Sequence, residues 1–235
     1  MGTNYDTSAY KFPEAPLAGR DYLKVLSDKT ETTGLKLDAG ALDNQSKVEL
    51  ISEHFAEIMR ILGLDLSDDS LKDTPKRVAK MYVNEIFSGL NPENKPAVTL
   101  FENKYHYDEM LIEKDIKVHS FCEHHFVPII GKAHVAYISN GKVIGLSKIN
   151  RIVDYFSRRP QVQERLTVQI AEELKRALQT EDVAVAITAD HMCVTLRGIK
   201  DQDSSTYTAS FHGKFKEKEF RREFLDQVNP HSKSS

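Results

Sequence analysis

The sequence has few of the features that mark secreted or membrane proteins. Only two of its 235 residues are cysteine and none is tryptophan. Two cysteines are too few for a disulfide framework, so the cytoplasm is the expected location. No run approaches the roughly 20 apolar residues that a membrane-spanning helix needs. The first residues also lack the basic-then-apolar pattern of a signal peptide.

The sequence also lacks a large excess of charge of one sign. The net charge is -3, from 32 basic and 35 acidic residues, so no overall field favours nucleic acid. Cations nevertheless outnumber acids locally, because the window of residues 142–165 has only Asp154 and Glu164 as acids. This window is either a solvated helix face or a site for a small polyanion. Its cations are Lys142, Lys148, Arg151, Arg158, Arg159 and Arg165.

Composition along the chain predicts one domain with an extension. Residues 1–46 are polar without a sustained period and are expected to be flexible. Residues 47–229 form the expected single catalytic domain, with N-terminal helices at about 47–90 and a core at about 105–229, before a polar tail at 230–235. In the second N-terminal helix Thr74 is the expected N-cap, and Gly89 is expected just beyond the last turn.

The core pattern predicts an α+β fold in the order β-β-α-α-β-β. Residues 91–104 are predicted to be a loop, and Asn140-Gly141 a hairpin turn. Consecutive strands with short links favour an antiparallel sheet with helices on one face. The predicted strands are 110–118, 129–138, 143–146, 183–189, 193–199 and 205–211, and the predicted helices run from Ser147 as N-cap to Tyr155 and from Pro160 to about Leu178.

Both cysteines have histidines close in sequence. His125 follows Cys122 by three residues, and His191 precedes Cys193 by two. In an extended strand His191 and Cys193 would point the same way. Two thiolates and an imidazole suit zinc, and three protein ligands leave the fourth position open, as in catalytic zinc sites.

A closed structural zinc site is the alternative, with His119 or His124 as the fourth ligand. If the site is catalytic, His124 and His191 are acid–base candidates, because imidazole titrates near neutrality.

A second constellation is Ser147-Lys148-x-x-Arg151, at the predicted start of a helix. Free N–H groups and two cations there suit phosphate, without any P-loop motif in the chain. Early in the next helix, Gln163-Glu164 could provide a helix-start acid or a carboxylate that pairs with two donors of a base edge.

Several ordered blocks together resemble the GTP cyclohydrolase I family, from about residue 48 to 228. They read SFCEHHFVP at residues 120–128, GLSKINR at 145–151, RPQVQERLT at 159–167, HMCVTLRG at 191–198 and DTPKRVAKMY at 73–82. The resemblance implies the tunnelling fold, an antiparallel sheet plus two helices that assembles into rings, with two pentamers forming a homodecamer whose active sites lie between subunits. It also implies that GTP and water become 7,8-dihydroneopterin triphosphate and formate, the first step of folate or pterin biosynthesis.

Residue by residue, the resemblance implies that Cys122, His125 and Cys193 bind zinc, whose activated water would add at guanine C8. It assigns proton transfer to His124 and His191. Glu164, with Gln163, would hold the guanine edge. Ser147 belongs to the implied catalytic group and also to the implied triphosphate contacts, which are completed by Lys80, Lys148, Arg151, Arg197 and Arg77.

Two alternatives remain open at this point. One keeps the fold but acts on another purine or pterin, and the other is a non-enzymatic ring-forming scaffold with a structural zinc.

Overall fold

Residues 42–228 are described by the structure, a computed structural model, so the expectations for 1–41 and for the tail at 230–235 lie outside the described residues. Six α-helices and seven strands occur in this part of the chain, together with one short π-helix and three short 3-10 helices. The helices are α1 (Asn44–Ile61), α2 (Thr74–Met81), α3 (Leu146–Ser157), α4 (Gln163–Leu178), α5 (Met192–Thr195) and α6 (Lys218–Val228). The strands are β1 (Leu100–Glu102), β2 (Met110–Cys122), β3 (Pro128–Ile138), β4 (Lys142–Ile144), β5 (Pro160–Gln161), β6 (Val183–His191) and β7 (Thr206–Phe211).

The central sheet has the strand order β5-β2-β3-β6-β7. Its four long strands are antiparallel neighbours, as predicted, and only the two-residue β5 lies parallel to β2. The predicted hairpin partner of β3 pairs elsewhere, because β4 joins β1 in a separate two-stranded sheet. The segment 91–104 is therefore not all loop.

The main core lies between one face of the sheet and the helices α3 and α4. Side chains of β6 alternate, with Val183, Val185 and Ile187 buried on this face. The intervening alanines of β6 contact α6 on the other face, through Phe224 and Val228. The α+β fold with antiparallel strands is thus confirmed, with two helices on one face and the C-terminal helix on part of the other.

Several predicted element ends are wrong. Helix α2 begins at Thr74, and Asp73 is at the N-cap position. Gly145, in extended conformation directly after β4, takes the N-cap position of α3, so Ser147 lies in the first turn instead. Pro160 belongs to β5 and α4 begins at Gln163. In residues 42–228 no helix is long and apolar enough to cross a membrane.

Candidate metal centre

A tight turn after β2 presents the first pair of candidate ligands. The main-chain N–H of Cys122 donates to Val127 O at 2.8 Å, and the N–H of Phe126 donates to Cys122 O at 2.8 Å. Phe126 has a φ of 54°, which closes the turn between β2 and β3. The histidine side chains between them are exposed, whereas Cys122 is buried.

The second cysteine arrives from the end of β6. Ile129, near the start of β3, pairs with His191, so the chain leaving β6 lies beside the turn after β2. The prediction of a strand at 193–199 is wrong, because residues Met192–Thr195 form the short helix α5. Cys193 on α5 nevertheless contacts the main core.

Three ligand atoms converge at this point. Those of Cys122, His125 and Cys193 all lie within 4.8 Å of one another, and Cys122 Sγ is 3.8 Å from His125 Nδ1. Neither His119 nor His124 belongs to this set, although His124 Nδ1 also lies 3.8 Å from Cys122 Sγ. Two thiols, one imidazole and a side open to solvent fit a zinc ion with an open coordination position.

The surroundings of the Cys193 thiol favour its protonated form. Burial raises the pKa of the Cys193 thiol, the neighbouring Cys122 raises it further, and Arg197 opposes both. A cation between the two sulfurs would stabilise both thiolates, because a coordinated thiol loses its proton. The two cysteines are therefore better suited to binding a metal ion than to forming two free thiolates side by side.

His191 lies beside the cluster at the end of β6. Its Nε2 is 2.8 Å from Gln163 Oε1. Burial lowers its pKa, and Glu164 and Asp190 act in the opposite direction. A neutral imidazole is thus favoured next to the cluster, with Glu164 close enough to influence it.

Gln163 is buried, and its side-chain amide is fully engaged with protein groups. Its Nε2 lies within 3.1 Å of Ile187 O, Thr206 O and Thr208 Oγ1. Glu164, the next residue of α4, is exposed. Of the two, Glu164 is the one whose side chain is open to a ligand.

An ion pair joins the turn after β2, which carries Cys122 and His125, to α4. Arg165 Nη2 donates to the carboxylate of Glu123, and the Glu123 N–H donates to Gln161 O at 3.0 Å. Both contacts hold the turn between Cys122 and His125 against the start of α4. Sequence reasoning missed this role of Arg165, for which its place among the cations of residues 142–165 was the only signal.

Arg197 reaches the centre from the other side. Its Nη1 lies 3.1 Å from Nε2 of His125. Arg197 is exposed and follows α5 by two residues. The guanidinium is therefore placed where an anionic ligand of the same site could meet it.

The other predicted phosphate contacts lie on α2 and α3. Ser147 and Lys148 lie in the first turn of α3 and Arg151 in the next, while Lys80 and Arg77 lie on α2. Lys80, Arg77, Ser147 and Arg151 are exposed. Within residues 42–228, no hydrogen bond or ion pair links any of these five to the three candidate ligands.

Fold and site together define a class of protein: an α+β protein with a possible Cys-His-Cys metal site and a hydrogen-bonded imidazole close to it in the chain. The family model for GTP cyclohydrolase I matches residues 51–229. GTP cyclohydrolase 1 of Flavobacterium johnsoniae is 59% identical over 194 residues, which cover 83% of this chain and 87% of the relative. GTP cyclohydrolase 1 of Aeromonas hydrophila is 59% identical over 198 residues, covering 83% and 91%.

The chain belongs to the GTP cyclohydrolase I family and is an enzyme. Among solved structures, the apo form of the archaeosine synthase QueF-Like aligns with 43% of this chain and 90% of its own length. That alignment has 20% identity and a TM-score of 0.36, too weak a likeness to add to the assignment.

Proposed function

We propose that the enzyme converts GTP and water to 7,8-dihydroneopterin triphosphate and formate. The observation that carries the proposal is the convergence of Cys122, His125 and Cys193 in a chain of this family. The substrate and the need for reduced thiols both favour the cytoplasm as its location.

The three converging residues would hold zinc. Two thiolates and an imidazole are donors that zinc prefers, and three protein ligands leave one position open. When bound, zinc supplies a Lewis acid beside the reacting carbon of the substrate. Arg165, through Glu123, would keep Cys122 and His125 at the right separation for this ion.

His124 and His191 would transfer the protons of ring opening and of the later rearrangement. His124 is exposed, so it can meet the substrate from the solvent side. Burial favours the neutral form of His191, which allows it to accept a proton. Ser147 would assist as a hydroxyl on the first turn of α3.

Glu164 would hold the guanine edge, because its exposed carboxylate can accept two parallel N–H donors. Gln163 would contribute its main chain, since the first N–H groups of a helix have no partner within the helix. An adenine ring presents a different donor pattern and should be rejected. This pair would therefore determine base specificity.

The triphosphate would lie against cations from three segments. Arg197 is already at the centre, and Lys148 and Arg151 lie near the start of α3, whose end attracts anions. Lys80 and Arg77 on α2 would complete the contacts. Since sites of this family are expected to form between subunits, a neighbouring subunit of a homodecamer would supply Lys80 and Arg77.

The direct test is to incubate zinc-loaded protein with GTP and to measure formate and, after mild oxidation, neopterin fluorescence. Both products are expected in equal amounts, and ATP should give neither. Formate alone would mean ring opening without the rearrangement. Neither product, with zinc bound, would reject the proposal and favour a scaffold with structural zinc, for which His124, 3.8 Å from Cys122 Sγ, is a candidate fourth ligand.

A further inference from the structure

The side chain of Gln163 makes polar contacts in four directions from the first position of α4. Its Nε2 is 3.0 Å from Ile187 O, 2.9 Å from Thr206 O and 3.1 Å from Thr208 Oγ1. Its Oε1 is 2.8 Å from Nε2 of His191. Only 1% of the residue is exposed, so water cannot replace these partners.

The direction of each hydrogen bond follows from the chemistry of the partners. Ile187 O and Thr206 O are carbonyl oxygens, which can only accept. A flipped Gln163 amide would place its own oxygen against both of them. The NH2 group therefore faces β6 and β7, and Oε1 must face His191.

Two threonine hydroxyls support the same orientation. Thr167 Oγ1 donates to the main-chain oxygen of Gln163 at 2.8 Å, so its proton is used. The 2.7 Å contact between the two hydroxyls then requires Thr208 to donate to Thr167. Thr208 Oγ1 keeps a lone pair for the N–H of the Gln163 amide. No two donors and no two acceptors therefore face each other in this network.

We propose that Gln163 is a positioning residue that fixes His191 with its proton on Nε2, leaving the lone pair of Nδ1 to exchange protons with the substrate. The inference deepens the proposed function and rests on it for the role of His191. Oε1 can accept only a donated proton, so the Nε2–H of His191 must be present. The hydrogen bond to Gln163 therefore sets Nδ1 as the ring nitrogen that is left without a proton in the neutral imidazole.

This assignment removes the Gln163 side chain from direct contact with guanine. All its polar atoms are used within the protein, whereas Glu164 remains open. A role in positioning predicts a loss in kcat, since His191 would act from the wrong nitrogen in part of the molecules. Direct binding predicts a rise in KM instead.

The test is 15N NMR of zinc-loaded protein labelled at histidine, at alkaline pH where imidazoles are neutral. The His191 signals are assigned by their loss in His191→Gln. In the wild type we expect Nε2 to be protonated and Nδ1 unprotonated. In Gln163→Met the Nδ1 signal should move towards the protonated value and the Nε2–H should exchange faster with water.

Activity and two further variants complete the test. Gln163→Met should lower kcat roughly 10- to 100-fold, as for other residues that orient a site histidine, with a smaller change in KM for GTP. Gln163→Glu keeps an oxygen facing His191 but sets its second oxygen against Ile187 O and Thr206 O, so it should retain the Nε2–H of His191 at a lower Tm than the wild type. Gln169→Met, a buried glutamine of the same helix that accepts from Gln161, is the matched control and should leave the His191 signals unchanged.

Two results would overturn the inference. One is a wild-type His191 with its proton on Nδ1, which needs no variant to be measured. The other is an unchanged His191 spectrum in Gln163→Met with a raised KM, which would place the side chain on the substrate. Because NMR does not require turnover, an inactive enzyme would reject the proposed function and still leave this test decisive.

Discussion

At the scale of single residues, neighbours in sequence have different tasks because their partners differ. His125 lies in the ligand set, while His124, next to it, does not. His191 is two residues from Cys193, yet its Nε2 is held by Gln163. Roles at this site are therefore set by which atom of each side chain is already engaged.

Replacing a candidate metal ligand and replacing a residue beside the metal site should have different effects on zinc content. Cys193→Ser should lose zinc and all turnover, because a neutral hydroxyl replaces a thiolate. His191→Ala should keep zinc and lose activity. Zinc per subunit, measured by elemental analysis after dialysis, decides between them. Loss of the metal in His191→Ala would mean that His191, and not His125, is the nitrogen ligand.

The buried histidine His134 should make stability depend on pH. Burial lowers the pKa of His134. The carboxylate of Asp115 acts to raise it, whereas the positive charges of Lys132 and Lys114 lower it further. The unfolded chain then binds more protons than the folded one near the usual histidine pKa of about 6.5. Stability should be full above that pH and fall as the pH drops through it, until His134 is also protonated in the folded state.

Thermal unfolding of zinc-loaded protein from about pH 8 to about pH 5 measures this slope. His134→Asn retains an acceptor for the Asp115 N–H, which lies 3.3 Å from His134 Nδ1, but cannot titrate. It should flatten the decline in Tm at acid pH. The matched control is His119→Asn, the same change at an exposed histidine of β2. Equal slopes in wild type and His134→Asn would contradict the prediction.

At the scale of elements, sequence periodicity predicted the helices and strands of the core but not the segment that follows β6. The strand at 183–189 and the helix ending at Leu178 are confirmed, because their apolar patterns match buried faces. The strand at 193–199 is wrong. β6 already has β3 and β7 on its two sides, so a strand directly after it could not pair with β6.

The site could be predicted only where its residues lie in short motifs. The short spacing of Cys122 and His125 and the single further cysteine, Cys193, indicated a metal site, and the family resemblance implied these three as its ligands. The pair Arg165–Glu123 spans 42 residues and Gln163–Thr208 spans 45, so no local pattern reports either contact. Such contacts depend on how β2, β7 and α4 pack, which sequence periodicity does not specify.

Gly89 illustrates an element-scale role that differs from the expected one. It was expected to end a helix, but its N–H donates to Arg158 O and its carbonyl accepts from Arg159 Nε. A Cβ at this position would lie 2.1 Å from Tyr155 O. Gly89→Ala should therefore push the segment after α2 away from α3 and cost about 1–3 kcal/mol of unfolding free energy.

Chemical denaturation of Gly89→Ala measures this cost. Gly145→Ala is the control, because a Cβ there has no neighbour closer than 3.9 Å. If both variants unfolded at the wild-type denaturant concentration, the close approach at Gly89 would be irrelevant to stability.

At the scale of the whole molecule, the sheet has two open edges. Within residues 42–228, β7 pairs only with β6. On the side away from β3, β2 pairs within this range only with the two-residue strand β5, at Phe121 and Cys122, so the rest of that edge is open. Open edges can accept a strand from another chain. The outer edge of β7 in one subunit and that of β2 in the next would close a ring, as we propose for the homodecamer.

Ala209→Pro should break such a ring without breaking the subunit. The His212 N–H donates to Val183 O, so the even-numbered residues of β7 face β6 and the N–H of Ala209 faces the open edge. Proline removes that donor and is tolerated at an edge. Sedimentation should show smaller species, with unchanged far-UV circular dichroism and lost GTP turnover.

Ala209→Val keeps the N–H at the same position and should remain assembled, which separates loss of the donor from a change of side chain. The loss of turnover in Ala209→Pro follows if Lys80 and Arg77 reach the site from a neighbouring subunit. Ala209→Pro that stays assembled would exclude the β7 edge as the contact. Dissociated subunits with full activity would instead show that each subunit has a complete site.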